Sequence, residues 1–268
     1  MSCRFFAACA LWLLGYPEQA RKRALETVDI ARRINHPFTL AYAYGTAALA
    51  HQLRRDIAQV SATATAGIVI SRQQGFPHFE GFAEAMSGWA LVQEGQIEDG
   101  IKHLSQGANG WASQGSDLWR PYWLALLAEA YQKGGQAREA TDTLTEAAKI
   151  AARTDETFYL AELHRLKAEF RLRDDFQTAT FAADQPPAVH AKYAEAEAGL
   201  RQAIETARLQ DAKSLELRAV TSLARLFRQL GRHDEARRNL TEIYGWFTEG
   251  FNTPDLREAK ALLDQLSS

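Results

Sequence analysis

Cysteine is nearly absent, with Cys3 and Cys9 the only two in 268 residues. Two thiols cannot build a disulfide framework or supply the four ligands of a structural zinc, and such usage fits a reducing cytoplasm. An excess of either charge is also missing: 31 Lys and Arg stand against 33 Asp and Glu, a net charge of −2. Nucleic acid is read through clustered basic side chains facing phosphate, so this balance argues against such a partner. The apolar run Phe5 to Leu14 is too short to span a bilayer. It follows Arg4 as a signal-peptide core would, yet no small-residue cleavage site comes after it, and Ala8, Gly15 and Ala20 fall in a register that the rest of the chain repeats. It is therefore read as the first helix of the fold, and no membrane segment is expected.

Catalytic motifs are lacking as well. No G-x-x-x-x-G-K-S/T phosphate loop occurs, so no cradle of backbone amides with a lysine exists for a nucleotide. The seven histidines, His36, His51, His78, His103, His164, His190 and His233, form no H-E-x-x-H pair or other metal spacing, and most are expected on loops or helix surfaces. Glu162 and Glu169 flank Arg165 at three- and four-residue spacing. An acid/base pair is one reading, and an ion-pair ladder along a helix is the favoured one. The Asn239-Leu240-Thr241 sequon lies within a helical stretch and is discounted.

What the chain has in quantity is regularity. Ala20, Val60, Gly100 and Ala140 lie forty residues apart, and so do Ala196 and Ala236. Twelve residues before five of these comes another small residue, Ala8, Ala48, Gly88, Ala128 and Ala224, and Ala168 takes the same place before Ala196 once the sixteen extra residues between them are set aside. The extra length falls on Asp174 to His190, read as an inserted mobile loop. Between the members of each pair lie turns such as Gly95-Gln96-Ile97-Glu98-Asp99 and Gly231-Arg232-His233-Asp234-Glu235, where glycine supplies the positive φ that ends one helix and acidic residues complement the start of the next. Pro37 and Pro77 stand where a second kind of turn gives way to a new pair. Leu104, Leu144, Leu200 and Leu240 recur four residues past the small residue, as a buried stripe requires, with Ala24 and Ala64 in that place earlier.

A period of this size predicts an all-α fold, an α-α superhelical solenoid of about six helix pairs over residues 1–268. Thr253 as N-cap and Pro254 at the first helical position open a capping helix over 253–268, apolar on one side through Leu256, Ala259, Leu262 and Leu263. The first helix is shorter than its equivalents and carries an apolar face with nothing polar in front of it. Solenoid ends normally carry a polar cap, so the N-terminus reads as cut from a longer array.

The repeats resemble tetratricopeptide repeats of a forty-residue variety. Three segments carry a narrower likeness: Ala161 to Glu169, Ser214 to Ala219, and above all Tyr244-Gly245-Trp246-Phe247-Thr248-Glu249-Gly250-Phe251-Asn252-Thr253-Pro254-Asp255-Leu256. Together they resemble the C-terminal repeat region of large bacterial proteins that join a class III adenylate or guanylate cyclase domain to an AAA-type signalling ATPase. The resemblance covers essentially the whole chain and implies a cytoplasmic regulatory or sensory array. The phosphate loop and the two-metal carboxylate pair of the cyclase and ATPase domains are missing from these residues, so no enzymatic activity, cofactor or metal is expected.

One helical phase applied to every repeat selects the face that the first helix of each pair turns inward. It gives Tyr42, Phe82, Tyr122, Glu162 and Arg218, then, seven residues on, Leu49, Trp89, Glu129, Glu169 and Arg225, with Arg165 between the two glutamates. This expected concave surface is aromatic in its first half and charged in its second. Such surfaces hold extended peptides or partner helices on aromatic anchors; the competing reading is that each aromatic fills the contact with the neighbouring repeat. Trp111, Trp119 and Trp123 are expected in the core. The expected partner is a protein or peptide, including other domains of the same signalling system. The alternative is a small molecule sensed by the array, with occupancy passed to an attached ATPase or cyclase.

Overall fold

The computed structural model describes residues 2–112, 117–176 and 187–267. They form thirteen α-helices, with no strand among the described residues. The order is α1 (Ser2–Leu13), α2 (Pro17–Ile34), α3 (Pro37–Leu53), α4 (Ile57–Gln74), α5 (Pro77–Gln93), α6 (Ile97–Ala112), α7 (Arg120–Lys133), α8 (Ala137–Thr154), α9 (Leu160–Phe176), α10 (Pro187–Leu209), α11 (Lys213–Gln229), α12 (His233–Tyr244) and α13 (Pro254–Ser267). The fold is a tetratricopeptide-like α-α solenoid of six helix pairs and a final single helix.

Local chemistry sets the helix ends. Gly15, Gly95, Gly135 and Gly231 take φ of 86°, 90°, 76° and 72° in the turn within a pair, and Arg55 takes 57° at the place where the second pair lacks a glycine. Between pairs the left-handed residue is Asn35, Gly75, Asp155 or Asp211, residue types whose short side chains or absent Cβ tolerate that region. Asp56 caps α4 by accepting from the Gln59 amide at 3.3 Å. At the start of α13 the Thr253 hydroxyl donates to the Gly250 carbonyl at 2.7 Å; the side chain closes the preceding turn where an N-cap bond to the helix was expected.

The small residues of the register are the crossing points of the pairs. All twelve lie in the interior, and Ala8, Ala20, Ala48, Val60, Ala128, Ala140, Ala168, Ala196, Ala224 and Ala236 are each at most 1% exposed. The approach is tightest between α5 and α6: a Cβ on Gly88 would stand 2.6 Å from the Leu104 amide nitrogen and 2.7 Å from the Gly100 carbonyl oxygen. Only a hydrogen fits there. The leucine stripe is buried beside these crossings, with Leu104, Leu144, Leu200 and Leu240 at 4% exposure or less, and each such side chain contributes about 1.5–3 kcal/mol of burial.

The described chain falls into two compact units, one comprising Met1–Trp12 and Tyr16–Glu156, the other Leu13–Gly15 and Thr157–Ser268. The first holds the helix pairs from α1 to α8. The second holds α9 to α13, around a core in which Leu172, Leu200, Leu223, Phe227, Leu240, Leu256 and Leu262 meet. The expected insertion is shorter than 174–190, because α9 continues through Phe176 and α10 already begins at Pro187; residues 177–186 lie outside the described residues.

Candidate interaction surface

In the first unit the selected aromatics are mostly closed in by their neighbours. Leu49 and Tyr122 are fully buried, Trp89 is 4% and Phe82 7% exposed. The Phe82 ring stands edge-on to Trp123 at 4.9 Å, and Trp123 meets Tyr122 at 5.0 Å. The Tyr122 hydroxyl donates to Gln52 Oε1 at 2.6 Å, joining α7 to α3 two pairs earlier. Trp119 continues this row, 6.0 Å from Tyr122 and 5.7 Å from Phe5 of α1. It holds a left-handed backbone at φ 66°, a region costly for a bulky side chain, and its amide donates to Glu156 Oε2 at 3.1 Å. Burial pushes the Glu156 carboxyl above its ordinary value, against the pull of that hydrogen bond. Trp119 and Trp123 are thus core residues; the Trp111 side chain lies outside the described residues. Glu129, on the same face of α7, is half-buried.

Tyr42 differs from this row. It is half-buried and belongs to a cluster at the N-terminal ends of α3 and α5, where Phe79 lies 6.0 Å from Tyr42, 5.0 Å from Phe38 and 6.4 Å from Phe76. Phe38 is 50% exposed, while Phe76, His78 and Phe79 are half-buried. The cluster is an apolar, partly open surface with rings standing edge to face. The fixed-phase reading found Tyr42 and missed Phe38, Phe76 and Phe79, because these lie where helix meets turn, outside the one phase it followed. Their sequence signals are the Pro-containing turns, His36-Pro37-Phe38 and Phe76-Pro77-His78-Phe79, and an aromatic at the Phe79 position forty and eighty residues on, Trp119 and Tyr159.

The charged residues of the second unit form one network. Arg165 grips Glu162 with two hydrogen bonds of 2.9 and 2.8 Å and reaches Glu169 at 2.7 Å. Glu169 also accepts from the Ser222 hydroxyl. Arg218 of α11 bonds Asp255 of α13 at 2.9 Å and approaches Glu162 at 3.5 Å, and Arg225 pairs with Glu258 at 2.9 Å. Burial pushes the Glu169 carboxyl up, but Arg165, the Ser222 bond and Arg225 outweigh it and hold the group below its usual range. Burial likewise disfavours charge on Arg218, yet Asp255 and Glu162 raise its guanidinium above its ordinary value. Four carboxylates, Glu162, Glu169, Asp255 and Glu258, face three guanidinium groups, Arg165, Arg218 and Arg225. Glu169 is thereby held as an ionised partner of Arg165. The ladder expected on α9 is present and extends across three helices.

Two polar features escaped the sequence reading. Glu84 of α5, 8% exposed, accepts from Arg72 of α4 and stands 2.5 Å from His103 Nδ1 of α6, while Arg72 also bonds Glu80 at 2.7 Å. His51, expected on a surface, is fully buried, and neither ring nitrogen has a hydrogen-bond partner. Burial lowers its pKa to about 4, with Asp56 opposing and Arg54 and Arg21 assisting. Among the described residues no group of three His, Cys, Asp or Glu is placed to hold a metal, and no helix is long and apolar enough to cross a membrane.

No family model matches the chain. An uncharacterized protein of Rhizobium meliloti (strain 1021) is 24% identical over 225 residues, covering 84% of this chain but only 20% of the relative, so the chain spans about a fifth of that protein's length. Among solved structures, the apo form of RapI superposes with a TM-score of 0.63 at 11% identity, covering 98% of this chain and 83% of that one. The apo form of the quorum sensor NprR from B. thuringiensis gives 0.59 at 14% identity, with coverage of 98% and 68%. A Signal Transduction ATPase with Numerous Domains from Pyrococcus horikoshii, described as having a tetratricopeptide repeat sensor, gives 0.51 at 17% identity, with coverage of 98% and 37%. Likeness at these identities establishes the tetratricopeptide-like repeat fold and nothing finer.

Proposed function

We propose that this chain is a non-enzymatic interaction module of a bacterial signalling protein, holding an extended peptide or a partner domain against the inner face of its first helices. The carrying observation is the partly exposed cluster of Phe38, Tyr42, Phe76 and Phe79. Edge-to-face rings with open faces supply apolar anchoring area without the ordering cost of long flexible side chains. The sensor roles of the quorum sensor and of the ATPase's repeats are consistent with this reading. The resemblance to cyclase- and ATPase-linked repeats suggests a cytoplasmic partner domain in the same system. Sensing of a small molecule in an enclosed chamber is the less favoured reading, since Phe82, Tyr122 and Trp123 occupy the interior of the first unit with their own rings.

The test is selection of a random-peptide display library on the purified chain, followed by binding of the recovered peptides to the Phe38→Ala/Phe79→Ala variant. Enrichment of peptides with apolar residues, and at least a tenfold loss of their affinity in the variant, is expected, corresponding to about 1.4 kcal/mol. No enrichment, or affinity untouched by the variant, would refute it.

A further inference from the structure

The repeat register identifies an uncovered surface at the other end of the first unit. In α1, Cys3 is exposed, Phe6 is 54% exposed, and Ala7 and Ala10 are exposed. Spacings of three and four put these side chains on one helical face. Forty residues later the equivalent positions are Ala43, Thr46, Ala47 and Ala50, all at 6% exposure or less. Eighty later they are Ala83, Met86, Ser87 and Ala90, of which three are at most 2% exposed and Ser87 is half-buried. In α7 they are Trp123, Leu126, Leu127 and Ala130, at 7% or less.

The covering element in the later pairs is always the second helix of the pair before. Ala47 and Ala50 pack with Ala24 and Val28 of α2. Gly67 of α4 lies against Ala83, so that a Cβ there would stand 3.1 Å from the Ala83 Cβ. Of these four helices, the face that is covered in α3, α5 and α7 is left open in α1. We propose that the Cys3, Phe6, Ala7 and Ala10 face of α1 is a stacking surface for the second helix of a tetratricopeptide-like helix pair supplied from outside these 268 residues.

The chemistry of that helix follows from its counterparts. It carries small or branched apolar residues at the positions of Ala24, Thr27 and Val28, which recur as Ala64, Gly67 and Ile68 in α4. A second copy of this chain is the weaker match at its other end, because the exposed side chains of α13 include Arg257, Lys260 and Asp264. The surface is distinct from the Phe38 cluster, and its test is independent of that reading.

Phe82 is equivalent to Ser2, so placing residues 37–81 directly before Ser2 extends the array by one pair in register. Cys3 then reports coverage, since the added segment contains no cysteine and Cys9 is buried with its thiol pushed above the ordinary range. Iodoacetamide labelling of Cys3, read by mass spectrometry, should proceed freely in the original chain at every protein concentration. In the extended chain it should slow by at least about tenfold, because access then requires local opening of the interface. Ala10→Arg should leave the melting temperature of the original chain unchanged and restore Cys3 labelling in the extended one. Unchanged labelling in an extended chain whose circular dichroism shows the added helix would overturn the proposal. So would protection in the original chain that grows with concentration as its mass doubles in light scattering, which would make a second copy the occupant. If the extended chain fails to fold, a synthetic peptide of residues 37–81 must slow the labelling in trans, and its failure to do so counts against the proposal equally.

Discussion

His51 makes this protein acid-sensitive in a way that a single substitution should remove. Its imidazole is fully buried in α3 with no partner for either nitrogen, and burial lowers its pKa to about 4, against an unfolded value near 6.5. The folded state therefore holds the ring neutral where the unfolded chain protonates it. Stability is intact above the unfolded pKa and is lost as pH falls from about 6.5 through 4, levelling off below that. From these two values the loss is roughly 0.8 kcal/mol at pH 6, roughly 2 at pH 5 and roughly 3 at pH 4. Groups acting on the ring are Asp56, which opposes the shift, and Arg54 and Arg21, which reinforce it. His51→Leu keeps similar bulk and removes both the proton site and the unpartnered nitrogens, so it should match or exceed the parent at pH 8 and gain steadily on it below pH 6.5. Urea unfolding of both proteins between pH 4 and 8 measures this directly, and their difference cancels the titration of every other group. Parallel stability curves through pH 5 would refute the buried, neutral histidine.

Other substitutions separate the strong contacts from the weak. Glu162→Gln leaves Arg165 and Arg218, at 10% and 9% side-chain exposure, without their shared carboxylate, and should cost about 3–5 kcal/mol in unfolding. Glu258→Gln, on a pair about 40% exposed on both sides, should cost less than about 1 kcal/mol and vanish in high salt; equal costs for the two would contradict the network. Gly88→Ala drives a methyl into the Leu104 amide and Gly100 carbonyl and should destabilise by about 1–3 kcal/mol. Gly110→Ala, with open space around the new atom, should gain about 0.5–1 kcal/mol from helix propensity. Thermal unfolding of the pair reports both signs, and a stabilised Gly88→Ala would mean that α5 and α6 are not in backbone contact.

The forty-residue register determined most of the fold, because helix crossing depends on side-chain size at one position, and size is written in the sequence. Ala48, Gly88 and Ala128 could be placed at crossings, and Gly95 and Gly231 at turns, from spacing and backbone preference alone. Periodicity also picked out one face of each first helix, but not how closely successive pairs approach along it. That distance decided that Phe82, Trp89 and Tyr122 meet Trp123, Gln52 and their neighbours as packing, while Phe38 and Phe79 at the helix ends keep open surface. The ladder of Glu162, Arg165 and Glu169 was legible because its partners lie within one helix turn. Its continuation through Arg218 to Asp255 joins residues 37 apart, and the burial of His51 depends on what surrounds a helix end. Both are properties of the packed array, set by which side chains reach across from neighbouring pairs, and no local spacing encodes them.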